Sequence, residues 1–343
     1  MYIEQEIAEQ PAVIQRLLDE ESATARRIAQ AIRDFDPAFV WIAARGTSDN
    51  AGRYAQYLMG IHAGLSVGLA TPSVHTLYET APRLKKALVI GISQSGQSVD
   101  VNQVVKDARE QGALTVTITN NPDSLMAHTG EYHLPLHSGP ELSIAATKTY
   151  TAELTAVAML TAALVGKTEL DEALAELPTK AAETLRLSEN VWAWAERYRY
   201  AERCAVIGRG YNYSTAFEIS LKLKELCYLT CQEYSEADFR HGPIAVVGSG
   251  FPVISVAPAG KTLPLMVDLL GKLQERQAEN LVISNEPAAG SYAQNFMPIP
   301  HIAEWLSPIC AVMPGQVLAM SLAKVKGYPV DQPRGLTKVT ITQ

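Results

Sequence analysis

Hydroxyl and amide side chains cluster directly after a strongly apolar run of the sequence. The run Ala87–Ser93 leads into Ser93-Gln94-Ser95-Gly96-Gln97-Ser98, where a predicted helix begins. The N–H groups at a helix N-terminus favour an anion, serine hydroxyls add donors, and Gly96 lets the backbone approach closely. A plain helix cap is the alternative interpretation. The companion loop Gly46-Thr47-Ser48-Asp49 favours an anion site of phosphate size.

Candidate charged residues lie in the second half of the chain. A predicted helix from Ala216 to Tyr228 places Glu218, Lys222 and Glu225 on one face, because residues three and four apart are neighbours on a helix. His241 precedes Gly-Pro, where the chain must turn. Taken alone, this face is a salt-bridged helix surface and the histidine is ordinary.

Several common motifs are incomplete. Gly208-Arg209-Gly210 lacks the third glycine of a dinucleotide fingerprint, and no Gly-Lys-Ser/Thr phosphate loop is present. The segment Gly91–Ser95 approaches a hydrolase elbow but ends in serine. The spacing of His128, His133 and His137 is typical of surface histidines rather than metal ligands. We therefore expect no metal and no cofactor.

The elements that must position these residues occur twice. Apolar runs typical of buried parallel strands are each followed by a helix-like stretch. The paired runs are Phe39–Gly46 with Cys204–Gly210, Ala87–Ser93 with Pro252–Ala257, and Val116–Asn120 with Leu281–Asn285. Their offsets are 164, 164 and 165 residues. The pattern predicts an α/β fold in which a parallel sheet, covered on both faces, is built twice.

The two copies differ at the serine-rich loop. The second copy has Ala257-Pro258-Ala259-Gly260 at the matching positions, so both serines have become alanine. A proline replaces Gln94 and cannot donate a backbone hydrogen bond. We therefore predict one phosphate-sized pocket, in the first half.

Length and composition limit the class of protein. The 343 residues suggest about two domains. A net charge of -7 and a pI near 5.6 argue against nucleic acid or an anionic membrane as the main partner. The N-terminus shows no secretory pattern, and the best apolar run, Thr155–Gly166, is about half a membrane span. The four cysteines, including Cys227 and Cys231 on a predicted helix, are expected to be reduced thiols in a cytoplasmic protein.

We predict five segments along the chain. They are an N-terminal helical segment (1–32), a first α/β domain (33–166), a helical linker broken near Pro178 (167–195), a second α/β domain (196–330) and a C-terminal tail or lid (331–343).

From Ile7 onward, the chain resembles the sugar isomerase (SIS) family, in particular its branch with two SIS domains. That branch includes the isomerase half of glucosamine-6-phosphate synthase and the glucosamine-6-phosphate deaminases. The matching motifs are Gly46-Thr-Ser48, Ser93-Gln-Ser-Gly96, Ala145-Ala-Thr-Lys148-Thr, Leu221-Lys-Leu-Lys-Glu225, His241-Gly-Pro243 and Asp331-Gln-Pro-Arg334 through Lys338. The resemblance implies two tandem flavodoxin-like three-layer αβα sandwiches with parallel sheets, in agreement with the repeat.

The resemblance also implies a sugar 6-phosphate as ligand. Its phosphate would be bound by Thr47, Ser48, Ser93, Gln94, Ser95 and Ser98. Gly46, Ala145 and Thr337 complete the expected substrate-binding set, with Lys222 and Arg334 as nearby charges.

Three residues acquire catalytic roles by the resemblance. Glu225 would move a proton between C1 and C2, which needs one carboxylate within reach of both carbons. His241, reached from the neighbouring subunit of a homodimer, would open the sugar ring. Lys338 would form an imine with the keto sugar, and so is expected near other cations or in a desolvated pocket. Its tail would close over the sugar.

Departures from the family pattern bear on the substrate. Residue 2 is Tyr rather than the cysteine nucleophile of the synthase's glutaminase, and the first cysteine is Cys204, so we expect no glutamine hydrolysis. Arg45 replaces a cysteine before Gly-Thr-Ser. Ser98 replaces a threonine, Ser143 a glycine and Thr337 an alanine.

These observations predict an amino-sugar 6-phosphate isomerase or deaminase. The first choice is conversion of glucosamine 6-phosphate to fructose 6-phosphate and ammonia. Alternatives are ammonia-dependent synthesis in the reverse direction, a galactosamine 6-phosphate substrate, and cleavage of a fructosamine 6-phosphate conjugate. A non-catalytic sugar-phosphate sensor is the alternative from another class.

Overall fold

Each half of the chain folds into a five-stranded parallel sheet flanked by helices. The computed structural model describes residues 1–338. The elements of the first half are helix α1 (Tyr2–Phe35), strand β1 (Phe39–Ala43), helix α2 (Thr47–Ala63), strand β2 (Val67–Leu69), helix α3 (Pro72–Thr76), strand β3 (Ala87–Ser93), helix α4 (Val99–Glu110), strand β4 (Leu114–Thr119), helix α5 (Leu125–Thr129), strand β5 (Tyr132–Pro135) and helix α6 (Lys148–Val165).

The second half repeats this alternation. Its elements are helix α7 (Thr168–Leu187), strand β6 (Arg203–Gly208), helix α8 (Tyr213–Cys227), strand β7 (Thr230–Ser235), helix α9 (Glu236–Arg240), strand β8 (Pro252–Val256), helix α10 (Leu263–Glu275), strand β9 (Glu279–Ser284), helix α11 (Pro287–Gly290), strand β10 (Asn295–Pro298) and helix α12 (Ser307–Val325). Short 3₁₀ segments lie at Glu189–Tyr198, Gly210–Asn212, Pro243–Val246 and Glu304–Leu306.

The two sheets have the same strand order. The first runs β2-β1-β3-β4-β5, and the second runs β7-β6-β8-β9-β10. All neighbouring strands are parallel, and this is the flavodoxin-like order. The predicted fold class is therefore confirmed. The outer strands β2, β5, β7 and β10 were not predicted, because their partly buried residues form no continuous apolar run.

The central strand β3 shows how the sequence specifies the core. All seven of its residues are buried. Val89 packs in one cluster with Val101 and Val104 of α4. Leu88 and Ile90, which point to the opposite face, have no exposed surface either. Burial of such side chains contributes about 1.5–3 kcal/mol each, so a continuous apolar run here favours a strand covered on both faces.

Two details of secondary structure differ from the prediction. Pro178 does not break the linker, because α7 continues through it. A proline removes one backbone hydrogen bond, but Leu177 and Ala181 beside it are fully buried and hold the helix in place. Cys231 lies in β7 rather than on a helix with Cys227, since Tyr228 adopts a left-handed backbone (φ 56°) that ends α8. Both thiols are buried and unpaired by any disulfide.

The most apolar helix was predicted in the wrong place. Within residues 1–338, the stretch Glu304–Val325 has the length and hydropathy of a membrane span, whereas Thr155–Gly166 had been predicted as the best apolar run. The apolar window of that helix is 94% buried inside the protein, which is typical of a core helix.

The chain divides into two compact units, each containing one sheet. The first-sheet unit consists of Ala12–Glu141, Lys148–Glu176, and Thr337 with Lys338. The second-sheet unit consists of Met1–Pro11, Leu142–Thr147 and Leu177–Leu336. The predicted domain limits at 33–166 and 196–330 stay predictions. Residues 339–343 of the predicted tail lie outside the described residues.

Packing between α8 and α12 depends on Gly315. A Cβ at this position would overlap the side chain of Ile219 on α8. We expect Gly315→Ala to destabilise the protein by about 1–3 kcal/mol through overpacking, measured as a lower urea midpoint. The matched control is Gly60→Ala in α2, where the added Cβ makes only ordinary contacts. There the gain in helix propensity should stabilise by about 0.5–1 kcal/mol. Equal effects at both glycines would contradict this description of the core.

Candidate active site

Strand order places a crevice at the carboxyl ends of β1 and β3. These two strands are neighbours, but the chain leaves β1 towards β2 and leaves β3 towards β4 on the other side. Connections that diverge in this way open a cleft at the sheet edge, where flavodoxin-like folds bind ligands. The serine-rich loop after β3 and the Gly46–Ser48 segment after β1 both lie there.

The serine-rich loop is closed by its own hydroxyl groups. Gly96 has a left-handed backbone (φ 65°). Its N–H donates to Ser93 Oγ at 3.2 Å, and the Gln97 N–H donates to Ser95 Oγ at 3.3 Å. Ser98 is the N-cap residue of α4, and its Oγ lies 3.5 Å from Ser93 Oγ. Three of the predicted phosphate-binding serines, Ser93, Ser95 and Ser98, therefore lie together at the N-terminus of α4.

Neighbouring segments hold this loop in place. The Met126 N–H donates to the Gly96 carbonyl at 3.1 Å, and the Asn120 N–H donates to the Gln94 carbonyl at 3.0 Å. The Asn102 amide donates to the Gly96 and Ser98 carbonyls at 3.2 and 2.8 Å. A Cβ at Gly96 would overlap Ser124. Hydrogen bonds from three other segments thus fix the conformation of the loop.

The segment after β1 is linked to the serine-rich loop by charge. Gly46 has φ 55°, and α2 begins at Thr47. Ser48 is buried, and its hydroxyl donates to Glu153 at 2.7 Å. The Arg45 guanidinium contacts the fully buried carboxylate of Asp100, in the first turn of α4, at 2.7 Å. The sequence analysis did not assign Arg45 or Asp100 to the site, although an arginine before Gly-Thr-Ser was a visible signal.

Lys338 contacts a carboxylate that the sequence analysis missed. Its Nζ lies 3.0 Å from Oε2 of Glu141, whose side chain has no exposed surface. The neighbour in this contact is an anion, whereas the sequence analysis predicted other cations or a desolvated pocket around Lys338. Lys338 itself is about one quarter exposed, at 26%. Thr337, beside it, is exposed.

In the second half, side-chain oxygen atoms of the protein accept backbone N–H groups of the matching loop, Ala257–Gly260 and the residue after it. The Ala259 N–H donates to Asn285 Oδ1 at 2.7 Å, and the Lys261 N–H donates to Glu304 Oε1 at 2.9 Å. A Cβ at Gly260 would overlap the Glu304 side chain. These contacts support the prediction that only the first half keeps the pocket.

Helix α8 carries a buried ion cluster. Lys222 Nζ lies 3.3 Å from Glu218 and 2.6 Å from Glu225, as the predicted common face requires. Lys222 and Glu218 are essentially inaccessible, whereas Glu225 is 23% exposed. Burial alone would lower the pKa of Lys222, but the two carboxylates outweigh it and raise that pKa well above its ordinary value. Lys222 is therefore a fixed cation beside a partly accessible carboxylate.

The beginning of the tail packs near the end of α8. Tyr228, three residues after Glu225, accepts the Arg334 N–H at its hydroxyl (2.8 Å). The Arg334 guanidinium stacks 4.1 Å from the centre of the Tyr228 ring, a cation–π contact. Arg334 is thus held near the helix that carries Glu225.

The remaining predicted residues lie on loops of the second-sheet unit. Ala145 is buried in the segment Leu142–Thr147. Ser143 in that segment is bonded to Glu6, and the Ile144 N–H donates to the Asp331 carbonyl at 3.1 Å. His241 ends α9 and is exposed.

The structure thus divides the predicted site residues between the two units. The first-sheet unit contains Gly46, Thr47, Ser48, Ser93, Gln94, Ser95, Ser98, Thr337 and Lys338, and the second-sheet unit contains Ala145, Lys222, Glu225, His241 and Arg334. Up to residue 338, no group of three or more His, Cys, Asp or Glu side chains is arranged to hold a metal ion. His137 pairs with Glu20 and Glu21 instead.

The α8 cluster makes Lys222 a structural requirement. We expect Lys222→Met to destabilise the protein by about 3–5 kcal/mol, because it removes the cation that is paired with buried Glu218. The matched control is Lys224→Met on the same helix. Lys224 is exposed and pairs with Glu233, so its loss should cost about 0–1 kcal/mol. Urea unfolding measures both, and similar small losses would contradict the buried cluster.

Comparison with known proteins agrees with this architecture. The family model of the SIS domain matches residues 39–163 and again 198–325. The chain is 34% identical over 340 residues to glutamine–fructose-6-phosphate aminotransferase (isomerizing) of Aquifex aeolicus, covering 98% of this chain and 57% of that protein. It therefore spans a little over half the length of that relative.

Two solved structures share the fold. The C-terminal domain of glucosamine-fructose-6-phosphate aminotransferase from Francisella tularensis superposes with a TM-score of 0.88 at 23% identity, covering 97% of this chain and 98% of that one. Glucosamine-6-phosphate deaminase from Thermotoga maritima superposes with a TM-score of 0.82 at 19% identity, covering 100% of both chains. Since the SIS model matches most of both halves, the chain belongs to the SIS domain family.

Proposed function

We propose that this chain is a phosphosugar isomerase that acts on an amino-sugar 6-phosphate. Its reaction would convert glucosamine 6-phosphate and water to fructose 6-phosphate and ammonia. The observation that carries the proposal is the α8 cluster, in which a partly exposed carboxylate, Glu225, adjoins the buried cation Lys222. The similarity to a glutamine–fructose-6-phosphate aminotransferase (isomerizing) supports the substrate class.

Glu225 would move the proton between the two reacting carbons. In the open-chain sugar, C1 is an aldehyde and C2 carries the amino group. Glu225 takes the proton from C2 and returns it to C1, while the amino group loses a proton and the C1 oxygen gains one, so that the product carries a hydroxyl at C1 and an imine at C2. Lys222, held as a cation 2.6 Å from Glu225, would keep this carboxylate ionised and in place.

His241 would open the sugar ring by moving a proton between the ring oxygen and the C1 hydroxyl. Its exposure on the second-sheet unit suits a side chain offered to another subunit. We therefore propose a homodimer in which His241 completes the neighbouring active site.

Lys338 would carry out the exchange of nitrogen. Its unprotonated amine adds to the C2 imine and ammonia leaves, and water then releases the keto sugar. The nitrogen leaves as free ammonia in this account. The four cysteines of the chain are all buried, so they offer no exposed thiol for glutamine hydrolysis. The net charge of -7 argues against a nucleic-acid or membrane partner, and we propose a cytoplasmic enzyme.

A turnover assay distinguishes this proposal from its alternatives. The protein is offered glucosamine 6-phosphate, galactosamine 6-phosphate, a fructosamine 6-phosphate conjugate, and fructose 6-phosphate with ammonium, while ammonia and the sugars are followed. Release of ammonia from glucosamine 6-phosphate supports the proposed deamination. Faster turnover of one of the other sugars, or of fructose 6-phosphate with ammonium, supports that substrate or the reverse direction instead. Binding of these sugars with no turnover of any would contradict the enzyme proposal and favour a sensor.

Glu225→Gln tests the proton-transfer role. It removes the base but keeps the shape, so we expect turnover to fall by at least about 100-fold, with sugar-phosphate affinity nearly unchanged by calorimetry. Glu233→Gln is the control, since this partly exposed carboxylate of β7 should leave turnover intact. A Glu225→Gln protein with normal turnover would rule out this role.

Ser93→Ala with Ser95→Ala tests the phosphate loop. Loss of two hydroxyl donors to a charged group should raise KM by about 10- to 100-fold, with a smaller change in kcat. The control removes two exposed serines, Ser249 and Ser291. An unchanged KM in the loop variant would place the phosphate elsewhere.

A further inference from the structure

Glu141 lies where three separate segments of the first-sheet unit meet. It follows β5 and precedes α6, and its side chain has no exposed surface. Its Oε2 accepts from the Gln94 amide at 3.1 Å, from the Thr149 hydroxyl at 2.6 Å and from Lys338 Nζ at 3.0 Å. Its Oε1 accepts the Thr149 N–H at 3.1 Å.

A buried carboxylate must be compensated by donors, and these donors differ in mobility. Thr149 is buried in the first turn of α6 and is fixed. Gln94 and Lys338 are both partly exposed, and each belongs to a segment with a proposed ligand role. One oxygen atom therefore links the phosphate loop to the proposed reacting amine.

The second half offers an internal comparison. Glu304 also lies between the last strand of its sheet and the long helix that follows. Its carboxylate binds the backbone of the matching loop, at the Lys261 N–H. A carboxylate in this connection thus reaches the phosphate-loop position in both halves. In the first half it binds the Gln94 side chain instead of the loop backbone.

We propose that Glu141 is a positioning residue that transmits occupancy of the serine-rich loop to Lys338. The proposal rests on the proposed function in taking this loop as the phosphate site. A phosphate that recruits the Gln94 amide removes one donor from Oε2. The carboxylate then interacts more strongly with its remaining donors, and Lys338 is held more firmly. Lysine placement thereby follows phosphate binding.

Chemical labelling of amines tests this coupling without any sugar. The full chain is treated briefly with trinitrobenzenesulfonate, with and without inorganic phosphate, and labelling of Lys338 is measured by mass spectrometry. Equilibrium dialysis establishes phosphate binding under the same conditions. Lys106, which is 61% exposed, is the internal reference. We expect phosphate to slow labelling of Lys338 by about 3- to 10-fold, the effect of one modest hydrogen-bonding gain, and to leave Lys106 unchanged.

Substitutions distinguish the role of Glu141 from that of the serine-rich loop. In Glu141→Gln, Lys338 should be labelled faster without phosphate, and phosphate should no longer slow it although phosphate still binds. Glu21→Gln, at a carboxylate that pairs with His137, should behave like the wild type. Ser93→Ala with Ser95→Ala should lose both phosphate binding and the phosphate effect.

Each result decides the proposal. A phosphate effect that persists in Glu141→Gln would overturn it. Equal labelling of wild-type Lys338 with and without bound phosphate would also overturn the proposal, and this result does not depend on whether the variant folds. A wild-type protein that binds no phosphate would overturn it as well. The labelling experiment uses no sugar. A protein that turns over no amino sugar can therefore still show the effect of phosphate on Lys338, so failure of the proposed function and failure of this proposal are distinguished. With a sugar that is turned over, Glu141→Gln should lower kcat by about 10- to 100-fold with KM changed by less than about threefold.

Discussion

The order of strands in the parallel sheet is the constraint on which the rest of the first-half site depends. Because the chain leaves β1 and β3 in opposite directions, the sheet edge opens between them. Helices α2 and α4 both begin at this edge, so their N-termini and the serine-rich loop share one crevice. The Arg45–Asp100 ion pair links the two sides. The same strand order recurs in the second half, where Glu304 binds the corresponding loop.

Each half also contains a buried charged group, and the two groups are compensated in different ways. In the second-sheet unit, two carboxylates hold Lys222 as a cation and leave Glu225 partly accessible. In the first-sheet unit, Glu141 is compensated by donors from three segments. Removal of one partner from such a buried ion cluster is costly, although replacement of the whole cluster by apolar residues can be neutral, so its role is to define position more than to add stability. Position is what proton transfer and imine formation require.

Local sequence patterns predicted much of the fold and part of the site. The bounds of β3 agree with the predicted run Ala87–Ser93, because this run is continuously apolar up to Ile92 and polar residues follow from Ser93 onward. The face of α8 followed from helical spacing alone. Glu141 could not be found in this way, since its contacts with Gln94 and Lys338 join residues 47 and 197 positions away. The Arg45–Asp100 pair spans 55 residues and was missed for the same reason.

The central claim is that one phosphosugar site survives from a duplicated pair. Calorimetric titration of the intact protein with fructose 6-phosphate measures the number of sugars bound per chain. The account predicts one, because the second-half loop lacks the serines and is occupied by Asn285 and Glu304. Two sugars per chain would contradict the loss of the second site. No binding at all would contradict the serine-rich loop as a phosphate site.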